Sequence, residues 1–237
     1  MKITKLNDHN ILKLAANVTS KYIAKCEPEK PANDPQATIE ESYAIETLVS
    51  VSQIISCIDQ LYLSVSMLTG YNKKNIPKNI NRYDYIVFGI ENYYLRLTSV
   101  YDRCLRLANT VFQLGLPERE CRESTITKNL HIKKTSVAQS LEDLDRFTIS
   151  FRFHRNTVAH NSTYSEKELN LLGSYYLVVE HDSEFDKYRS LFKNKTDTYI
   201  KKRNGEFLAQ IGNLENLVEV YLNAIQISFE TRLKSFV

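Results

Sequence analysis

The sequence predicts an all-α protein, an up-and-down helical bundle with extra peripheral helices. Three observations carry this. Gly 6 and Pro 5 in 237 residues fall well below the roughly 12% of average usage, too few for the many tight turns of a sandwich or barrel. Long segments place apolar residues at steps of three and four, the spacing of one helix face. No stretch alternates apolar and polar residues with a neighbour to pair against, so YYLVVE (175–180) is expected to be helical despite its β-branched residues.

Along the chain, Ile11, Leu14, Ala15, Val18, Tyr22 and Ile23 line a first helix. It ends in EPEKPANDP, where Pro28, Pro31 and Pro35 forbid continuation. This stretch of about ten residues is too short to mark a domain boundary. A single domain over 1–237 is expected, with a core at about 40–235 and the N-terminal helix, about 3–25, packed on it. The second helix carries Leu48, Val51, Ile55, Ile58, Tyr62 and Val65, and stops at Gly70. After a polar loop, Ile86, Ile90, Tyr93, Leu97, Val100, Cys104, Ala108, Val111 and Phe112 form a nearly unbroken series closed by Gly115 and Pro117. At about 1.5 Å per residue each of these helices is some 40 Å long or more. Joined by a short loop, they make an antiparallel hairpin, half of a bundle.

A third long helix begins near Thr135 or Ser136, with Val137, Leu141, Leu144, Phe147 and Phe151 toward the core. A polar turn, a shorter helix through Leu169–Val179 and a basic helix from about Phe185 to Lys202 follow. Asn204-Gly205 is expected to break the chain before a last helix carrying Leu208, Ile211, Leu214, Val218, Tyr221, Ile225 and Phe229.

The composition also excludes some classes. No apolar run approaches the ~18 residues of a membrane span. MKITKLNDHN has no signal-peptide core, and a cytoplasmic protein is expected. Cys26, Cys57, Cys104 and Cys121 are scattered, predicting reduced, mostly buried thiols rather than a zinc site or disulfide framework. The net charge of +3 is modest. His181–Arg203 holds seven Lys/Arg against four Asp/Glu, most simply a solvated helix face, with phosphate contact as the alternative.

The third helix ends in FHRNTVAH, residues 153–160. Arg155 and Val158 continue the apolar stripe, while Asn156 and His160 share an adjacent face. Arg155 and His160, five apart, lie roughly 140° apart on an ideal helix. A long arginine, or a helix that unwinds near His160, would bring them to one point. The trio suits phosphodiester chemistry. A neutral imidazole can take a proton from a ribose 2′-hydroxyl, and an imidazolium can give one to the leaving oxygen. A guanidinium can hold the phosphate and offset its growing charge. No metal-ligand pattern is present, and neither metal nor cofactor is expected. The plain alternative is a helix C-terminus where cations meet exposed carbonyls.

R-N-T-V-A-H fits the R-x4-H signature, with a polar residue after the arginine, and so resembles the HEPN superfamily (higher eukaryotes and prokaryotes nucleotide-binding). The long helix within YDYIVFGIENYYLRLTSVYDRCLRLANTVFQLGL is similar to the corresponding helix of bacterial HEPN proteins of the abortive-infection and conserved-hypothetical type. The resemblance covers about 40–235. It implies a four- to five-helix bundle and a metal-independent endoribonuclease that acts as a homodimer, pairing two motif copies, on RNA. Arg155 would stabilise the scissile phosphate, His160 would be the acid/base, and Asn156 would position them. Arg152 and His154 are weaker candidates for substrate contact. The resemblance further suggests a toxin or phage-defence effector, with an antitoxin or nucleotidyltransferase as partner. Its alternative is a non-catalytic HEPN module that binds a nucleotide or a partner protein. His9, His131 and His181 are expected at the surface. Glu91, Asp102 and Arg103 interrupt the long helix; i,i+4 or interhelical ion pairing is expected first, and support of the active histidine second. Tyr62, Tyr93 and Tyr101 are expected in the core or an interface.

Overall fold

The computed structural model describes residues 3–26, 35–72, 74, 77, 80–161 and 163–236. The side chains of Asn161, Glu180, His181 and Ser183 fall outside that description, as does the expected loop over 27–34. Among the described residues there is no strand. Eight α-helices run in order: α1 Asn10–Ile23, α2 Ile39–Thr69, α3 Arg82–Val111, α4 Glu123–Ile126, α5 Leu130–Lys133, α6 Ser136–Asn156, α7 Lys167–His181 and α8 Arg189–Lys234.

Local chemistry explains the starts. Thr38 and Glu41 form a reciprocal cap: the Glu41 N–H donates to Thr38 Oγ1 and the Thr38 N–H to Glu41 Oε2, satisfying donors that a helix start leaves free. Asn81 and Asp84 repeat the device ahead of α3. At the other end of α3 the left-handed residue is Gln113, φ 50°, followed by Gly115, φ 66°.

The chain falls into two compact units, one of Gln60–Thr98 and Ile149–Asn213, the other of Ile3–Asp59, Ser99–Thr148 and Leu214–Val237. The helices α2, α3, α6 and α8 contribute residues to both. In the second unit α2 and α3 run antiparallel: the Tyr43 hydroxyl donates to the Val111 carbonyl, and Cys57 meets Ser99. There α3 and α8 run parallel, with Tyr221 donating to the Cys104 carbonyl and Arg232 to Gln113. Tyr43 also stacks on Phe229, ring centroids 5.3 Å apart. The N-terminal segment joins this unit through the Thr4 N–H on Asp59, Lys5 on Glu219, and buried Ile11, Ala15 and Val18.

In the unit that carries the motif, Arg96 bonds Gln60 and Asn92 bonds Ser64, again antiparallel. Tyr93 lies flat on Phe207, centroids 3.9 Å apart, and its hydroxyl donates to Gln210. Burying such a pair contributes several kcal/mol, on the order of 3–5 for removal of one ring.

Two expectations are corrected. α8 runs unbroken through Asn204-Gly205. Tyr199 and Phe207, on either side, are fully buried, and their packing outweighs the roughly 1 kcal/mol that a mid-helix glycine costs. Secondly, α2 is long and apolar enough to cross a membrane by length and composition, although its most apolar stretch is half buried. Ile54, Ile58 and Leu61 pack completely. The four cysteines are free, with Cys57 and Cys104 buried.

Candidate active site

At the end of α6 the helix changes its pitch. α-Helical geometry holds to Asn156, and Thr157–Asn161 is a π turn. A π turn closes on i→i+5 hydrogen bonds rather than i→i+4, and such turns frequently mark functional sites. The winding widens only after Asn156, so Arg155 and Asn156 stand on the last α-helical turn and His160 on the π turn that follows it. The Thr157 hydroxyl donates to the Phe153 carbonyl four residues back, 3.0 Å. This back-bonding loosens helices locally. The small Ala159 leaves the turn open.

Just before the turn, Arg155 Nη1 donates to Asn156 Oδ1 at 2.9 Å. Arg155 is half-buried, while Asn156 and His160 are exposed. The guanidinium is thus steered by its neighbour, and the imidazole stands at the surface.

Behind the motif lies an aromatic floor. His154 does not face solvent like an ordinary surface histidine; it is half-buried and stacked on Tyr94, centroids 4.6 Å and planes 24° apart. Tyr164 lies 5.5 Å from both rings. Burial first, and the Arg203 charge second, hold the His154 imidazole below its usual pKa, keeping it neutral and hydrophobic. Burial also pushes the Tyr94 and Tyr164 hydroxyls up. Arg203 pairs with Glu166 and Glu206, and the Tyr164 hydroxyl donates to Glu166 at 3.1 Å. The second carboxylate oxygen of Glu166 is buried with no hydrogen-bond partner among the described residues.

Glu91 on α3 accepts the backbone N–H of Tyr164 at 2.8 Å. It makes this backbone contact where the sequence predicted an ion pair, and it ties down the chain just after the π turn. Arg103 bonds the Ser99 carbonyl one turn back, and Asp102 is exposed. Arg152 is half-buried. His9 sits at the start of α1, accepting the Ile11 N–H and facing Asn223, and His131 is exposed. Tyr62, Tyr93 and Tyr101 are buried. No group of three His, Cys, Asp or Glu among the described residues is placed to hold a metal ion.

Tyr94, Tyr164, Glu166 and Arg203 were not among the predicted site residues. Tyr164 had one legible signal: it is a lone aromatic in the polar turn HNSTYSEKE, yet it is only 4% exposed.

An all-α chain that ends α6 in an exposed R-x4-H segment has the features of the HEPN class. The family model for HEPN_Cthe2314-like HEPN domains matches residues 44–231, and the chain belongs to that family. No curated protein and no solved structure matches it.

Proposed function

We propose that this protein is an HEPN endoribonuclease that cleaves RNA without a metal. The observation that supports the reading is the end of α6, where Arg155 bonds Asn156 and the helix passes into a π turn that carries an exposed His160. Membership of a class whose domains are often ribonucleases supports it. In this reading His160 removes the proton of a ribose 2′-hydroxyl, and the 2′-oxygen attacks phosphorus. Arg155 holds the phosphate and offsets the charge that builds on it. The bond to the 5′-oxygen breaks, that oxygen takes a proton from an imidazolium, and a 2′,3′-cyclic phosphate remains. Asn156 fixes the guanidinium. One acid/base histidine per chain fits a homodimer in which the partner copy supplies the second proton transfer. A cytoplasmic toxin or phage-defence effector, held by an antitoxin or nucleotidyltransferase partner, fits such an activity.

The test is incubation of purified protein with mixed cellular RNA in EDTA, with Arg155→Ala and His160→Ala beside the wild type. Cleavage that needs both residues is the expected result; wild-type inactivity, or equal cleavage by all three proteins, overturns the proposal. One observation favours a second reading, a non-catalytic HEPN module that binds a nucleotide or a partner protein. In a single chain Asn156 and His160 are open to solvent, and the Arg155 guanidinium already has Asn156 as a partner. Under that reading a ligand binds the motif and is released unchanged.

A further inference from the structure

Phe153 is the most exposed large hydrophobic side chain of the described residues, 75% open. An exposed phenylalanine leaves apolar surface in water, and this one stands beside the motif. It precedes Asn156 by three positions on an α-helix, so the two share a side. The Arg155 guanidinium, drawn to Asn156 at 2.9 Å, is steered toward that same side. An exposed aromatic ring and an exposed amide thus lie on one side of the helix, with a half-buried guanidinium bonded to the amide.

The ring also has an aromatic neighbour. It meets His154 edge to face, centroids 5.7 Å and planes 72° apart. His154 in turn is stacked on buried Tyr94. The burial that keeps His154 neutral keeps this support apolar. With three quarters of the residue open, Phe153 retains a free ring face. A solvent-facing aromatic on the side of the helix to which a guanidinium is drawn suits an unpaired nucleotide: the base stacks on the ring while the phosphate meets the cation. A paired base has its faces covered by its neighbours in the helix and offers no such surface.

We infer that Phe153 is a base-stacking residue that docks an unpaired nucleotide of single-stranded RNA beside Arg155. This rests on the ribonuclease reading for its ligand, and it adds a residue that contacts the strand beside the motif. Removing the ring weakens the docking of the strand while leaving the reacting groups in place. Phe153→Ala therefore raises KM for single-stranded RNA about 5- to 100-fold with kcat little changed, and Phe153→Tyr restores it.

The sequence contains no tryptophan, so Phe153→Trp installs a sole indole at the position in question. The experiment uses Phe153→Trp with His160→Ala, which prevents cleavage, and titrates it with a fluorescein-labelled oligoadenylate, single-stranded or annealed to oligouridylate. The expected result is binding by anisotropy, with Trp emission quenched by the single strand and not by the duplex. Binding without quenching overturns the role of Phe153 and leaves the ribonuclease reading standing. Absence of any binding overturns both. A blue shift that grows with protein concentration before RNA is added means that a second copy covers position 153, and it overturns the inference as well.

Discussion

The His154 ring lies over the Tyr94 ring, centroids 4.6 Å and planes 24° apart, immediately before the arginine of the motif. Burial and the Arg203 charge disfavour its protonated form. The folded-state pKa is depressed, so the unfolded chain takes up the proton more readily. The stability that neutral His154 supports is fully present above pH about 6.5 and is lost as pH falls through the folded-state value. His154→Phe keeps the stack and removes the titration. Urea unfolding midpoints at pH 7.5 and 5.5 should therefore fall less for the variant than for the wild type. An equal fall in both would show that His154 does not carry this dependence.

Glu91 and the Tyr164 N–H make a second measurable link, 2.8 Å long. Glu91→Ala leaves a partly buried N–H without its acceptor and should cost about 1–3 kcal/mol in urea unfolding. Glu91→Gln retains an acceptor oxygen and should cost less. If the two variants are equally destabilised, the carboxylate matters for something other than this hydrogen bond.

Helix glycines supply a test of packing in the same unit. A Cβ on Gly205 would meet nothing within 4 Å, whereas one on Gly173 would fall 2.7 Å from the Tyr83 ring. Gly205→Ala should stabilise by about 0.5–1 kcal/mol, the helix-propensity gain. Gly173→Ala should destabilise by about 1–3 kcal/mol through overpacking. Thermal melting of the two variants checks the opposite signs, and a gain from both would mean that α7 stands further from Tyr83.

These contrasts show why some of the molecule was legible in the sequence. The stripes of α2 and α3 are written in apolar steps of three and four, and Ile58, Tyr93, Leu97 and Cys104 are buried where those steps place them. The all-α class and the HEPN resemblance followed from such features. Asn204-Gly205 misled because a local helix-breaking signal is weak against the burial of Tyr199 and Phe207 on either side. Around the motif, residue types pointed to Arg155, Asn156 and His160, but the π turn depends on which carbonyl each N–H reaches, which no spacing rule records. The Glu91–Tyr164 link and the Tyr94–His154 stack join residues 73 and 60 positions apart, and only the folded chain brings them together.

Cleavage of RNA in EDTA decides between catalysis and binding at the motif. Wild-type protein should cut single-stranded RNA and leave a 2′,3′-cyclic phosphate end. His160→Ala should lose about 10²- to 10⁴-fold in rate, the share typical of a general acid–base group, and Arg155→Ala should be similarly impaired. Undiminished cleavage by either variant, or no cleavage by the wild type, would contradict the account.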